Sequence, residues 1–194
     1  MKKYLLILLA IIFVGCASKQ QNHAINTYSL ELKENLNKYE TTNFSIEINK
    51  SLINKSFNTN AILYKQKPLL LEKYVKNRWI DSFNLLTTQL ITQSIEESKL
   101  FKTVLISPSK IKSDFVLNSY IYEVYHQVKE NKSKAILKMK FELYKGNKLI
   151  NSYIYTKSLE IENNKVYGFV KATNTLLNKI LEDLNSKIAK EIKN

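Results

Sequence analysis

Few side chains in this sequence could carry chemistry, and their spacing limits what that chemistry could be. The chain has one cysteine, Cys16, and two histidines, His23 and His126. Neither histidine has acids or nucleophiles placed around it in a recognisable pattern, and a metal site needs more ligands than these residues offer. Serines are plentiful, yet none sits in a G-x-S-x-G elbow, the strained turn that presents a hydrolase serine to its base. There is no G-x-x-x-x-G-K-[ST] loop to cradle phosphates, so the chain cannot itself draw on a nucleotide for energy. The expectation is a protein with no catalytic residues, no metal and no cofactor.

Cys16 stands apart because of its surroundings. Lys2 and Lys3 are followed by an unbroken apolar run at residues 5–14. A helix needs about twenty apolar residues to cross a bilayer, so this run is too short for a permanent span. A positive start, a short apolar middle and small residues at the exit describe an export signal. Val14-Gly15-Cys16 resembles the bacterial lipobox, with Phe13 in the place where Leu is commonest. That resemblance implies a diacylglycerol on the Cys16 thiol, cleavage just before it, and acylation (typically palmitate) of the freed amino group. Each buried CH2 contributes about 0.8 kcal/mol, so two or three acyl chains make a stable anchor. Ala17, rather than Asp, follows Cys16, which under the usual sorting rule favours the outer membrane, facing the periplasm. The expected organisation is a signal peptide at 1–15, lipidated Cys16 with a polar tether at 16–26, and one domain at 27–194.

The chain carries a formal charge of +13, which falls by two to +11 when Lys2 and Lys3 leave with the signal. Such a charge suits nucleic acid, anionic lipid or plain solvation. Of the 30 basic residues only Arg78 is an arginine, whereas guanine reading and bidentate phosphate contacts lean on arginine. Nucleic acid is therefore not an expected partner. Three glycines and two prolines are too few breakers for a disordered chain.

Hydrophobic periodicity supplies the elements that must position any site. Residues 27–32, 44–48, 61–65, 69–79 and 101–106 read as strands or extended segments. In residues 135–145, Ala135, Leu137, Met139, Phe141 and Leu143 fall on one side, with Lys138, Lys140, Glu142 and Tyr144 on the other. Residues 114–128 form a long strand with apolar residues on both faces. Gly146-Asn147 reads as a two-residue hairpin loop with glycine first, and residues 148–161 return antiparallel. A helix follows Asp81-Ser82, and a second covers about 167–192 with a broad apolar stripe. The expected class is α+β: a mainly antiparallel sheet with two helices packed on one face and the other face partly exposed.

The order of these elements, with Tyr28-Ser-Leu30, the AILYK strand at 61–65, Tyr74-Val-Lys-Asn-Arg78-Trp79 leading into a helix, and Asp114-Phe-Val-Leu117, resembles the ABC-type transport auxiliary lipoproteins. The resemblance spans about residues 28–192. It departs where members commonly have a proline after the Trp, since this chain reads Ile80-Asp81-Ser82-Phe83; Asp or Ser can cap the helix instead. It implies a fold similar to the amino-terminal domain of TolB. It also implies partnership with a mammalian-cell-entry (MCE) domain protein and inner-membrane ABC transporter subunits that move phospholipid between membranes. The role implied is docking at the outer membrane, with a ring of copies as one arrangement. A different class of function, activation of a cell-wall synthase by a small lipid-tethered domain, stays open beside it.

The candidate interaction residues are Tyr74, Arg78, Trp79, Tyr120, Tyr122, Tyr153 and Tyr155. Trp79, the only tryptophan, is either an interface anchor or a plug beneath the first helix, which its Leu and Phe neighbours favour. Arg78 pairs either with a partner's acid or, by preference, with nearby Asp81. Tyr120 with Tyr122, and Tyr153 with Tyr155, each share a strand face. They either line a groove or subunit contact or serve simply as good strand residues.

Overall fold

The computed structural model describes residues 24–130, 132–161 and 165–193. Its strands are β1 (Asn26–Tyr28), β2 (Thr42–Ile48), β3 (Leu52–Ile53), β4 (Ala61–Lys65), β5 (Glu72–Trp79), β6 (Phe101–Ile106), β7 (Phe115–Gln127), β8 (Lys134–Lys145) and β9 (Lys148–Glu160). The helices are α1 (Phe83–Glu97) and α2 (Val166–Glu191). The signal, Cys16 and most of the tether lie outside the described residues.

The clean alternation in β8 sets the inner face. Ala135, Leu137, Met139, Phe141 and Leu143 are all fully buried, and each large side chain of this kind stabilises the fold by about 1.5–3 kcal/mol. They meet the apolar stripe of α2, from Phe169 through Leu177, Ile180 and Leu184 to Ile188, in a single core that also takes in α1. α1 is rich in residues that are poor helix formers and is held by burial instead: Phe83, Leu90, Ile91 and Ile95 are all in the core. Its Thr92 donates to the Thr88 carbonyl, and Asn185 of α2 donates to the Ser94 carbonyl and hydroxyl of α1 at 3.1 and 3.0 Å.

β7 is the spine of the sheet. One edge pairs with β8 along its length, antiparallel, and β8 pairs with β9 in the same sense. The other edge is shared end to end by three short strands. Ile46–Ile48 of β2 lie opposite Phe115–Leu117, β3 opposite Tyr120–Ile121, and Tyr64–Lys65 of β4 opposite His126–Gln127. All three run parallel to β7, as β6 does to β2 and β1 to β5. The sheet is therefore mixed, which corrects the expected mainly antiparallel one. Alternation reports which face a residue takes and is blind to strand direction, so the parallel pairings leave no mark in the pattern.

Two further differences have local causes. The register of β7 shifts between Ile121 and Glu123, a bulge that puts an extra residue, Tyr122, into the strand. Before it the odd positions Phe115, Leu117, Ser119 and Ile121 are buried; after it the even positions Val124 and His126 are. That change of phase is why the sequence reads as apolar on both faces. The expected strand at 27–32 is cut short at Tyr28. Beyond it the Glu31 and Lys33 N–H groups donate to the Asn174 and Asn178 side chains of α2, at 2.9 and 2.7 Å, instead of to a neighbouring strand.

Candidate functional site

Among the described residues the outer face of β7, β8 and β9 carries no α-helix, and it collects the side chains that the alternation of β8 pushes outward. Glu142 is its centre. Its carboxylate is ion-paired with Lys140 and accepts hydrogen bonds from the Tyr144 and Tyr120 hydroxyls at 3.0 and 3.2 Å. Lys140 also lies 5.4 Å from the Tyr120 ring, and Lys138 lies 6.0 Å from the exposed ring of Tyr122. The hydrogen bond from Lys140 holds the Glu142 carboxyl below the usual carboxylate range, and the same bond raises Lys140. Tyr144 is raised chiefly by its bond to Glu142, and Tyr120 chiefly by burial. All four shifts lead away from neutrality, so these groups present charge and aromatic area rather than a proton for transfer.

A second feature adjoins the outer edge of β9, which among the described residues pairs only with β8. Between this edge and α2 lies a groove of about 580 Å³ lined by Tyr155, Lys157, Leu176, Lys179, Asp183 and Lys187, among others. Tyr155 donates to Asp183 at 2.8 Å, and Lys187 pairs with Asp183 at 2.7 Å. Burial alone would raise the Asp183 carboxyl, but the bonds from Lys187 and Tyr155 outweigh it and hold it low. A long unpaired strand edge beside a groove is a surface to which an extended segment can add as a further strand.

The candidate residues do not form one site. Cys16 lies outside the described residues. Trp79 is 2% exposed and packs 5.3 Å from Phe83 and 6.1 Å from Phe169, so it is the plug beneath α1 and not an interface anchor. Arg78 is exposed, but it makes no ion pair with Asp81 or any other described acid. Asp81 instead accepts the Ser82 N–H at 2.6 Å at the start of α1. Tyr74 is half-buried and shares a 2.8 Å hydrogen bond with Nδ1 of His126; burial pushes its hydroxyl up to about 12. Tyr153 and Tyr155 turn inward under α2 and are buried, Tyr155 edge-on to Phe141 at 5.8 Å. Only Tyr120 and Tyr122 reach the outer face, so the two tyrosine pairs lie on opposite sides of the sheet.

Sequence reasoning passed over Lys138, Lys140, Glu142 and Tyr144 as a wet face, although their period-two spacing was the signal. It also missed the β9 groove, because Asp183 and Lys187 of α2 meet β9 only through the hairpin and the final crossover. Among the described residues no cluster of three or more His, Cys, Asp or Glu side chains could hold a metal ion.

No family model and no curated protein matches the sequence. Among solved structures, a protein from Xanthomonas campestris described by the family model DUF330 is similar with a TM-score of 0.76 at 11% identity, over 87% of this chain and 97% of that one. A second, titled only as an uncharacterized protein, is similar with a TM-score of 0.65 at 13% identity, over 87% of this chain and 99% of the other. At such identities the likeness concerns fold alone. The chain thus has the α+β fold of these two proteins, with two helices on one face of a curled mixed sheet.

Proposed function

We propose that this chain is a lipid-anchored, non-catalytic auxiliary subunit of an MCE/ABC-type intermembrane transport system, docking the assembly at the outer membrane from its periplasmic side. The lipobox at Cys16 and the resemblance running from Tyr28 to the last helix motivate the class, and the same resemblance carries the expected relation to the amino-terminal domain of TolB. The observation that carries the reading is the outer face of β7 and β8. There Tyr120, Tyr144, Lys140 and Glu142 satisfy one another, while Tyr122 and Lys138 stand beside them with area to offer. Tyrosine gives large, stiff contact area with a wet tip, which suits adhesion to a protein partner.

The test is recovery of the lipidated protein from detergent-solubilised envelopes, with mass spectrometry of whatever accompanies it. An MCE-domain protein with its ABC subunits is the expected company; cell-wall synthases in their place would overturn the transport role in favour of synthase activation. A Tyr122→Ala, Lys138→Gln double variant should lower recovery of the MCE protein several-fold with an unchanged melting curve, because Tyr122 is the bulge residue and supports nothing in the core, and glutamine sets no like charge opposite Glu123. Undiminished recovery would move the docking surface off this face.

A further inference from the structure

The turn between β4 and β5, residues 66–71, packs Leu71 against the core but leaves two apolar side chains, Leu69 and Leu70, where no part of the fold uses them. Leu69 is 100% exposed, with exposed Leu70 beside it and exposed Val75 and Ile25 along the same arm. Leu69 also holds a φ of 66°, in the left-handed region that a leucine enters only against steric resistance. Neither burial nor backbone comfort within the domain accounts for a leucine there. Lys65 and Lys67 precede it and Lys73 follows, Lys65 lying 4.3 Å from the Tyr125 ring. Glu72 is the acid within the same stretch.

Topology says which way this tip points. β1 and β5 are parallel, with Asn26 opposite Asn77 and Tyr28 opposite Trp79. The chain therefore enters the domain from the end at which β5 begins, which is the tip end. Glu72 is five residues before Asn77, so the tip extends about 17 Å beyond Asn26 toward the incoming chain, at ~3.3 Å per residue. Ten residues separate Asn26 from Cys16, and ten residues span at most about 35 Å. A bilayer holding Cys16 is therefore within reach of Leu69.

We infer that residues 66–71 form a membrane-contacting tip, with Leu69 and Leu70 entering the acyl boundary of the bilayer and Lys65, Lys67 and Lys73 meeting anionic phospholipid headgroups. This rests on the reading that the chain is anchored through Cys16. Apolar residues that enter the interface between flanking lysines combine buried area with attraction to anionic lipid. One covalent anchor leaves the domain free to swivel; a second contact would fix which faces look away from the membrane.

The experiment uses the mature chain, residues 16–194, as a Cys16→Ser variant. A hexahistidine before residue 16 holds it on vesicles of phosphatidylethanolamine, phosphatidylglycerol and a nickel-chelating lipid. A single cysteine labelled with an environment-sensitive fluorophore is introduced by Leu69→Cys or, as control, by Ile111→Cys. Ile111 is 66% exposed between Lys110 and Lys112, in the loop leading into β7 at the opposite end of the sheet. The control thus matches the tip in composition and differs in position. The expected result is a blue shift and quenching by lipid-borne nitroxide at position 69, with neither at 111. Silence at both positions overturns the inference, and an equal response at both overturns it too, since composition alone would then suffice. Incorporation of labelled palmitate at Cys16 in cells reads the anchor by itself. A silent probe beside a labelled Cys16 removes the tip alone, and an unlabelled Cys16 removes the anchor on which it rests.

Discussion

His126 illustrates what a buried polar side chain does in a fold that does not use it for catalysis. It is fully buried, its ring stacks 5.4 Å from Phe169 at 11°, and its Nδ1 is satisfied by Tyr74. Nε2 has no hydrogen-bond partner, so the doubly protonated ring would carry a buried Nε2–H without an acceptor. Burial pulls the His126 pKa down to about 4. An unfolded histidine titrates near 6.5, so as pH falls below that value the unfolded chain takes up a proton that the folded chain refuses. Stability should drop by about 2 kcal/mol between roughly pH 7.5 and 5 on this account, and stop falling once pH passes below the folded value. The carboxylates held low, Asp114, Glu142 and Asp183, act in the same direction but fade at lower pH, so the window isolates His126. Urea unfolding at both pH values should show the drop in the wild type and much less of it in His126→Phe. Equal slopes would mean that His126 is charged when folded.

Among the elements, the β8–β9 hairpin was the most legible and the pairings of β7 the least. Gly146 stands at φ +55° in a two-residue loop closed by Lys145 and Lys148, as the glycine-first dipeptide led one to expect. A Cβ at Gly146 would meet nothing within 4 Å, so Gly146→Ala should cost only the backbone strain of a positive φ, about 1 kcal/mol. Gly146→Asn should cost less than alanine, since asparagine follows glycine among the residues that primed turns accept at positive φ. Urea midpoints of the two variants check the order, and an alanine as stable as glycine would show that the loop relaxes to another turn. The same kind of reading had no access to β2, β3 and β4 lying end to end along β7. β3 has two residues, too few for a period, and parallel neighbours separated by many residues have no local signature. The candidate site suffered likewise. Tyr120 and Tyr122 lie on the outer face, which their sharing of a strand face did not by itself imply, and the bulge between Ile121 and Glu123, which decides how far Tyr122 projects, cannot be seen in residue types. Tyr153 and Tyr155 share a face as expected, and only the placement of α2 reveals that it is the inner one.

For the whole molecule, the unequal sharing of β7 implies unequal stability. β8 is paired on both sides along its length and its inward side chains are fully buried beneath α2. Among the described residues the arm of β4, β5 and β1 pairs with the rest of the sheet at Tyr64–Lys65 against His126–Gln127, supplemented by Ile62 and Trp79 in the core and by the Tyr74–His126 hydrogen bond. Local opening follows the cooperative units in which contacts are concentrated, so the arm should open without the meander. Native-state hydrogen exchange should place the β8 amides of Leu137, Met139 and Phe141 among the slowest, exchanging only at the free energy of global unfolding. Amides of β1 and of residues 66–71 should exchange through smaller openings, and those of β5 at intermediate cost, with Trp79, whose N–H donates to the Asn60 carbonyl at 2.8 Å, the best protected of its strand. Protection of β5 equal to that of β8 would mean that the core under Trp79 binds the arm into the same cooperative unit. If the arm is the softer part, contact of its tip with a membrane would restrain the region with the weakest connection to the sheet and leave the rigid meander, with its tyrosine face, free for a protein partner.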